Sequence, residues 1–499
     1  MSICVAVAAC HPWATDAALA ALRRGGSAVD AAIAADAVMG VAEPISTGLG
    51  GDVMAVVARG DRVAAHNGTG RAPKGVQATS PADSDHGYVP NRGGQAVTTP
   101  GAVAAWWELH QRFGVLEWAD LMRPAVEAAE VGVALGTVTA NLWAAMQCRL
   151  DETGQALYCR GGRPPLAGTT WRNPELAETL RGIGRYGPDH LYRGPVGEEL
   201  CDAAVAAGGT LTTDDLASHH GDWVDPLCDT VGGLELITLP PTCQGVVALL
   251  AAAQLDETGR LGAALSADVV VAQVEAVDRA FNLALDVVAD GLPRPDLEIL
   301  RSEVRRRTTL GPLPLSPGTV FTAVARGDEL VALVSSVCDR FGSGVTVPGR
   351  GFVLQSRARG FLVDQSHPNG VAGGRRPYHT IVPSVGLRDG QPALVLGVVG
   401  GIMQPQGQVQ VLSRLAGGER VQAAVDAPRF RLLGDGHVAL EDGLPDGTAA
   451  ALAAAGYRPR GPEQVDFGGG HAIFRDLRGI LSAGTDRRKD GAAATLTVG

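Results

Sequence analysis

The sequence is poor in aromatic residues and carries an excess of negative charge. Phe, Trp and Tyr together make up 4% of the 499 residues, whereas glycine occurs 67 times. We therefore expect tight packing and many glycine turns, and no large aromatic pockets. The formal charge of −11 is opposite in sign to a nucleic-acid-binding surface, so we expect no nucleic-acid partner.

Signatures of metal sites and membrane spans are also missing. The eight cysteines form no C-x-x-C pair and no spaced cluster with histidine, which argues against structural zinc. Their scatter is typical of reduced thiols in a cytoplasmic protein. No apolar run reaches the roughly 18 residues of a membrane helix, and the apolar start lacks a basic leader. It predicts a buried first strand and no signal peptide.

No cofactor is expected either. The segment Gly48–Asp52 weakly resembles a dinucleotide-binding turn, but a predicted strand, Asp52–Ala58, follows it, where such a turn needs a helix. A small molecule remains as the expected partner.

The apolar pattern predicts helices in the first part of the chain and strands in the last. Ser27 can cap a helix that continues to Val38 and is apolar on nearly every face, as in a buried helix. Residues 106–310 have a mainly helical pattern, and strands are predicted in the last part. The predicted elements are helices at Ala102–Phe113, Ala119–Glu130 and Ala267–Val288, and strands at Phe352–Leu354, Thr380–Leu387, Ala393–Val398 and His437–Glu441.

A segment rich in proline and glycine, Gly311–Gly318, separates the two parts. Because proline pushes the preceding residue out of the helical region, the segment predicts an exposed, extended linker. Thr319–Ala325 and Glu329–Val337 then alternate like the two strands of a hairpin. We expect the chain to divide into residues 1–318 and residues 319–499.

Thr319 follows this linker directly and begins a predicted strand, which suits a self-cleaving hydrolase. The threonine hydroxyl would attack the preceding carbonyl, and hydrolysis of the resulting ester would leave a free α-amine beside the hydroxyl. That amine is a built-in general base for the nucleophile. The alternative is that Thr319 merely begins a strand, because threonine favours strands.

Motifs along almost the whole chain favour the catalytic interpretation, since they resemble, in order, those of the γ-glutamyltransferase family. The resemblance implies an α+β fold, the αββα sandwich of N-terminal-nucleophile hydrolases. It also implies a proenzyme cut into a large and a small chain, and a dimer of that pair is compatible with it. The segments concerned are His11–Asp16, Gly25–Ala32, Glu43–Gly51, Leu121–Glu130, Pro240–Gly245, Phe341–Gly344, Gly400–Gly401, Ala427–Phe430 and Asp490–Gly491.

Two alignments compete at the nucleophile. Counting back without gaps from Phe341 places Gly318 on the nucleophile position of the family, which would make the chain a catalytically dead relative. One residue removed from the turn at 326–328 places Thr319 there instead. We prefer the second alignment, because turns tolerate deletions more readily than a strand tolerates losing a catalytic residue.

The resemblance implies roles for further residues. Gly400 and Gly401 occupy the oxyanion-hole position, where glycines let backbone N–H groups approach a developing alkoxide. Ser336 falls where the family keeps a hydroxyl beside the nucleophile. His379 and Thr380 lie where the family has a pair of serines facing the intermediate.

The residues that clamp glutamate in the family are replaced. Thr69 stands where an arginine binds the α-carboxylate, and Gly360 stands where an aspartate binds the α-amine. A glutamyl donor would thus lose its charged partners. Three nearby arginines predict a different, anionic substrate, since guanidinium groups bind carboxylates in a bidentate manner: Arg71, Arg357 and Arg359. The alternative for Arg357 and Arg359 is that they are solvated surface charges.

The resemblance leaves several activities open. Relatives include amidohydrolases and members of 4-alkylproline antibiotic pathways that are proposed to cleave a carbon–carbon bond. The competing hypothesis is an uncleaved, non-catalytic binding protein that keeps the fold.

Overall fold

The structure is a computed structural model that describes residues 2–76, 84–304, 318–463 and 466–499. Residues 311–317 of the predicted linker lie outside these ranges. The helices are α1 Pro12–Arg23, α2 Ala28–Ala42, α3 Ala102–Phe113, α4 Trp118–Val131, α5 Thr137–Met146, α6 Glu152–Tyr158, α7 Pro174–Tyr186, α8 Asp189–Tyr192, α9 Pro195–Ala206, α10 Thr213–Ala217, α11 Gly245–Glu257, α12 Ala267–Val287, α13 Leu297–Val304, α14 Met403–Ala416, α15 Val421–Asp426 and α16 Thr448–Ala454.

The strands form two large sheets and two small ones. The large sheets have the orders β18-β1-β9-β10-β2-β3-β6 and β17-β16-β12-β11-β8-β7. The strands are β1 Ile3–Ala9, β2 Asp52–Arg59, β3 Arg62–Asn67, β4 Val133–Ala134, β5 Thr170–Trp171, β6 Asp222–Val224, β7 Leu227–Val231, β8 Leu234–Thr238, β9 Gly318–Arg326, β10 Glu329–Cys338, β11 Ser384–Arg388, β12 Gln391–Val399, β13 Phe430–Gly434, β14 His437–Leu440, β15 Arg458–Arg460, β16 Gly469–Arg475, β17 Leu481–Thr485 and β18 Ala492–Val498.

The two large sheets face each other and carry helices on their outer sides. Helix α2 packs on β9 and β10 of the first sheet, and α11 and α14 pack on β7 and β12 of the second. Every residue of α2 is buried, and Ser27 and Asp30 form a capping box at its start. A helix that is apolar all round needs such complete burial, and the sandwich provides it.

Helix α14 is also buried although it carries four glutamines. Gln404 and Gln408 bond to the backbone of Val382, while Gln406 and Gln410 bond to the backbone of the β13 strand. Buried amides are tolerated when their hydrogen bonds are satisfied. These bonds fix α14 between two neighbouring segments, with Gln404 at its start.

The two predicted parts of the chain interleave within both sheets. Strand β1, from the first part, pairs with β18 on one side and with β9 on the other. Strand β8, also from the first part, pairs with β11. Asp490 adds a further contact between the two parts of the chain, because its carboxylate accepts the N–H groups of Val138 and Thr139 at the start of α5.

Most predicted elements are present, with two errors. The hairpin, the helix after Ser27 and Ala102–Phe113 are confirmed. Phe352–Leu354 is not a strand, since it makes only isolated bridges to Thr346 and Gly50. Of the predicted strand Thr380–Leu387, only residues 384–387 form a strand, within β11. Residues 106–310 are mainly helical as predicted, and five short strands, β4–β8, lie among these helices.

Within the described ranges no helix is long and apolar enough to cross a membrane. Among the same residues no group of three His, Cys, Asp or Glu side chains is placed to hold a metal ion.

The interleaving predicts that a chain cut between Gly318 and Thr319 stays in one piece. Separating the two products would break the pairing of β1 on both edges and expose buried apolar surface. We expect two bands on a denaturing gel but one peak in native size-exclusion chromatography. Fragments that separate in native buffer would contradict this topology.

Candidate active site

Thr319 is the second residue of β9 and is fully buried. Val320 pairs with Ser335 and Gly318 with Cys338, so the register of β9 against β10 shifts around Thr319. This irregularity inserts an extra residue into β10, as a β-bulge does. It turns the side chain of Ser336 toward Thr319, and the two hydroxyl oxygens lie 3.3 Å apart.

Ser336 makes hydrogen bonds to several residues of the site. Its Oγ donates to the carbonyl oxygen of Gly318 over 2.6 Å. It also accepts the backbone N–H of Cys338 at 2.9 Å and the Nη2–H of Arg357 at 2.7 Å. The serine hydroxyl thus contacts both the residue before Thr319 and a buried cation.

Gly318 has no room for a side chain. A Cβ atom there would lie 2.7 Å from the carbonyl oxygen of Asp339 and 2.9 Å from that of Cys338. The absence of a Cβ allows the bond between residues 318 and 319 to pass close to the end of β10. The carbonyl of Gly318 can therefore reach Ser336.

The glycine turn after β12 lies on the other side of Thr319. Gly400 and Gly401 have φ angles of +118° and +64°, a region that favours glycine. The carbonyl of Gly401 accepts the backbone N–H of Gln404, and the side chain of Gln404 donates to Thr319 Oγ1 at 3.4 Å. Gln404 thus connects the predicted oxyanion-hole turn with the threonine.

Arg357 is nearly fully buried, with 1% of its surface exposed. Besides its contact with Ser336, its Nε lies 3.6 Å from Asp52 Oδ2. The same carboxylate oxygen lies 3.5 Å from His379 Nε2. A buried arginine requires such a counter-charge, and Asp52 supplies it.

The hydrogen bonds of His379 define its tautomer. Its Nδ1 lies 2.6 Å from the carbonyl oxygen of Pro377, which can only accept, so the proton is on Nδ1. Burial lowers the pKa of His379 below its ordinary value. The ring is neutral near pH 7, and its Nε2 lies 3.5 Å from Asp52 Oδ2.

Thr380 is held beside the glycine turn through Gln244. The Nε2 of Gln244 donates to the carbonyl of Thr380 at 2.6 Å and to that of Gly401 at 3.1 Å. Within the described residues the hydroxyl of Thr380 is buried and has no hydrogen-bond partner. A buried hydroxyl without a partner is available to a ligand.

The other two predicted arginines already have carboxylate partners. Arg71 donates to Asp222 at 2.8 Å, and Arg359 donates to Asp85 at 2.8 Å. Only Arg357 contacts the Thr319–Ser336 pair. The structure thus brings together Thr319, Ser336, Arg357 and His379 and leaves Arg71 and Arg359 in separate ion pairs.

The two residues that stand in place of the glutamate-binding arginine and aspartate of the family, Thr69 and Gly360, are uncharged and closely surrounded by other atoms. The hydroxyl of Thr69 donates to Asn67 Oδ1 at 2.6 Å. A Cβ on Gly360 would lie 2.3 Å from the carbonyl oxygen of Tyr378. An aspartate at position 360 therefore requires a different course of the backbone.

Two residues of the site were missed in the sequence. Gln404 follows the glycine turn by three residues, and its place in a run of alternating glutamines was the available signal. Asp52 was treated as the start of a strand. A carboxylate at the start of an otherwise apolar strand was the signal there, because a buried charge requires a partner.

The chain is similar to known proteins over almost its whole length. The family model described as Gamma-glutamyltranspeptidase matches residues 14–496. The chain is 34% identical over 525 residues to the oxamate amidohydrolase proenzyme of Klebsiella pneumoniae, with 97% of each chain covered. It is 30% identical over 527 residues to the glutathione hydrolase-like YwrD proenzyme of Bacillus subtilis, also with 97% of each covered.

A solved structure shares the fold. The cephalosporin acylase from Bacillus halodurans superposes with a TM-score of 0.89 at 33% identity, covering 99% of this chain and 96% of the other. The αββα sandwich of the N-terminal-nucleophile type predicted from the motifs is confirmed.

The packing of β9 against β12, close to Thr319, can be tested by a substitution. A Cβ on Gly397 of β12 would lie 2.2 Å from the ring of Phe321, two residues after Thr319. We expect Gly397→Ala to lower the free energy of unfolding by about 1–3 kcal/mol through overpacking. Thermal and denaturant unfolding measure this loss.

Gly184→Ala is the control for that variant. Gly184 lies inside α7, and a Cβ there would have its nearest neighbour at 3.4 Å. Alanine favours a helix over glycine, so this variant should be as stable as the parent or more so. Equal stability of Gly397→Ala and the parent would show that β9 and β12 are packed differently.

Proposed function

Because the chain belongs to the gamma-glutamyltranspeptidase family, we propose that it is a self-processing amide hydrolase with Thr319 as its nucleophile. The observation that carries the proposal is the hydrogen bond from Ser336 to the carbonyl of Gly318. That carbonyl belongs to the bond that self-cleavage would break. A donor aimed at it stabilises the negative charge that develops on the oxygen during attack.

Self-cleavage is an N-to-O acyl shift. The hydroxyl oxygen of Thr319 attacks the carbonyl carbon of Gly318, and the hydroxyl proton passes to the departing nitrogen of Thr319. The C–N bond breaks and an ester joins Gly318 to Thr319 Oγ1. Water then hydrolyses the ester to the carboxylate of Gly318, and Thr319 keeps its hydroxyl beside a free α-amine.

Turnover repeats this chemistry on an external amide. The α-amine of Thr319 takes the hydroxyl proton as the oxygen attacks the substrate carbonyl, and the proton leaves with the amine product. Water hydrolyses the acyl ester and regenerates the threonine. In this proposal the N–H groups of Gly400 and Gly401 receive the oxyanion, and both glycines adopt backbone angles that favour glycine.

Arg357 supports a substrate that carries a carboxylate close to the scissile amide. Its guanidinium lies 2.7 Å from Ser336 Oγ, which lies 3.3 Å from Thr319 Oγ1. A carboxylate bonded directly to the reacting carbonyl can span that short path. The α-carboxylate of a γ-glutamyl group lies at the far end of its side chain and cannot.

The relative named for oxamate hydrolysis supports the same class. Oxamate is an amide whose carbonyl is bonded directly to a carboxylate, and that relative is 34% identical to this chain. Thr69 and Gly360 offer no charged group to the zwitterionic end of glutamate. Both charges of that end would leave water without partners.

Self-cleavage is tested by varying Thr319. Purified protein should consist of residues 1–318 and 319–499, with the smaller chain beginning at Thr319. Thr319→Ala should stay at full length, because it lacks the attacking hydroxyl, and Thr319→Ser should retain some cleavage. Intact mass and N-terminal sequencing measure this. Normal cutting of the alanine variant, or a wild-type protein that stays whole, would refute the proposal.

Substrate class is tested by comparing two amides on the cleaved protein. We expect ammonia release from oxamate with a kcat/KM well above that for γ-glutamyl-p-nitroanilide, which should release almost no nitroaniline. Thr319→Ala is the blank for both assays. Comparable kcat/KM values for the two amides would show that glutamate is recognised by residues other than those described.

A further inference from the structure

We infer that Arg357 is a positioning residue for self-cleavage, which it promotes by directing the hydroxyl proton of Ser336 onto the carbonyl of Gly318. This inference rests on the proposed self-cleavage at Thr319 and deepens it. The same guanidinium would then serve maturation first and substrate binding afterwards.

The argument begins with the hydrogen-bonding capacity of Ser336. A serine hydroxyl has one proton and two acceptor lone pairs. The backbone N–H of Cys338 at 2.9 Å and the Nη2–H of Arg357 at 2.7 Å are the closest donors to these lone pairs, and the hydroxyl of Thr319 donates to the same oxygen over a longer 3.3 Å. The proton has one close acceptor left among the described residues, the carbonyl oxygen of Gly318 at 2.6 Å.

Arg357 is the member of this set that can make the bond strong. A charged donor strengthens the hydrogen bond it makes, and it polarises the hydroxyl it donates to, so the onward bond is strengthened as well. Without Arg357 one donor fewer competes for the lone pairs of Ser336. The threonine hydroxyl, which donates to Ser336 Oγ over a long 3.3 Å, can then move closer, and its stronger hydrogen bond to Ser336 holds the proton that the attack must release.

Asp52 holds the guanidinium in place from behind, and His379 lies against the same carboxylate. Asp52 Oδ2, Arg357 Nε and His379 Nε2 are all buried, and within the described residues none has a hydrogen-bond partner. The carboxylate oxygen lies 3.6 Å from the arginine nitrogen and 3.5 Å from the histidine nitrogen. Asp52 Oδ1 is anchored separately by the backbone N–H of Gly70 at 2.8 Å.

The two carboxylate oxygens of Asp52 therefore have different neighbours: Oδ1 accepts the N–H of Gly70, and Oδ2 lies beside Arg357. Asp52→Asn can keep an oxygen on Gly70 while it removes the negative charge beside Arg357. The variant keeps that bond but leaves the buried guanidinium without its counter-charge, so it should be less stable than the parent and hold the guanidinium less firmly. We expect it to slow self-cleavage a few-fold, less than loss of the arginine itself.

The experiment is a double-mutant cycle on the rate of self-cleavage. Protein is made by cell-free translation, and the cleaved fraction is followed with time on denaturing gels for the parent, Ser336→Ala, Arg357→Met and the double variant. Ser336→Ala should slow cleavage by about a hundredfold, as loss of an oxyanion donor does. Arg357→Met should slow it about tenfold, and it should add nothing in the Ser336→Ala background.

Two further variants show whether slower self-cleavage reflects loss of the Arg357 contact or general loss of folding. Arg357→Lys retains a charged donor and should recover part of the rate. Arg429→Met removes another fully buried arginine, whose bonds run to Val425, Phe467 and Asp486, and should cleave at the parental rate. Thermal unfolding of each purified protein confirms that it is folded.

Two results would overturn the inference. One is an Arg357→Met protein that cleaves at the parental rate. The other is an Arg357→Met effect that is as large in the Ser336→Ala background as in the parent, since the arginine would then act independently of the serine. Both are distinct from failure of the proposed function, which would appear as cleavage of Thr319→Ala.

Discussion

The hydroxyl of Ser336 is the interaction on which the site depends. Its closest donors are the N–H groups of Cys338 and Arg357, the hydroxyl of Thr319 donates to it over a longer 3.3 Å, and its own proton is donated to the carbonyl of Gly318. Each partner is fixed by a different feature of the fold: Gly318 by the absence of a Cβ, Cys338 by the irregular end of β10 and Arg357 by its counter-ion Asp52. The bond between Gly318 and Thr319 is thereby held next to both hydroxyl groups.

The two packed sheets hold Thr319 and its neighbours in fixed positions. Thr319 lies near the start of β9, an inner strand of one sheet, and β9 pairs with β1 from the first part of the chain. Gln404 lies on α14, a buried helix that packs on the second sheet. Hydrogen bonds and side-chain packing hold both sides of the threonine, so the hydroxyl loses little freedom on reaction. A cut at this bond leaves the surrounding strands paired.

The fold could be predicted from the sequence better than the contacts of the candidate site. The alternation after Thr319 and the apolar helix after Ser27 are local signals, and the hairpin and helix they predict are present. The pairing of Asp52 with Arg357 joins residues about 300 positions apart, and no local pattern encodes it. The ion pairs of Arg71 and Arg359 are likewise tertiary, so the sequence did not show that these two arginines already have carboxylate partners.

Trapping the ester between Gly318 and Thr319 tests the central claim most directly. Hydroxylamine at neutral pH added during self-cleavage should intercept that ester and leave a hydroxamate on Gly318, which peptide mass spectrometry can locate. The account predicts a hydroxamate on Gly318 in the parent and none in Thr319→Ala. A hydroxamate on another residue at the cut, or cleavage with no trapped ester under conditions where Thr319→Ser yields one, would contradict it.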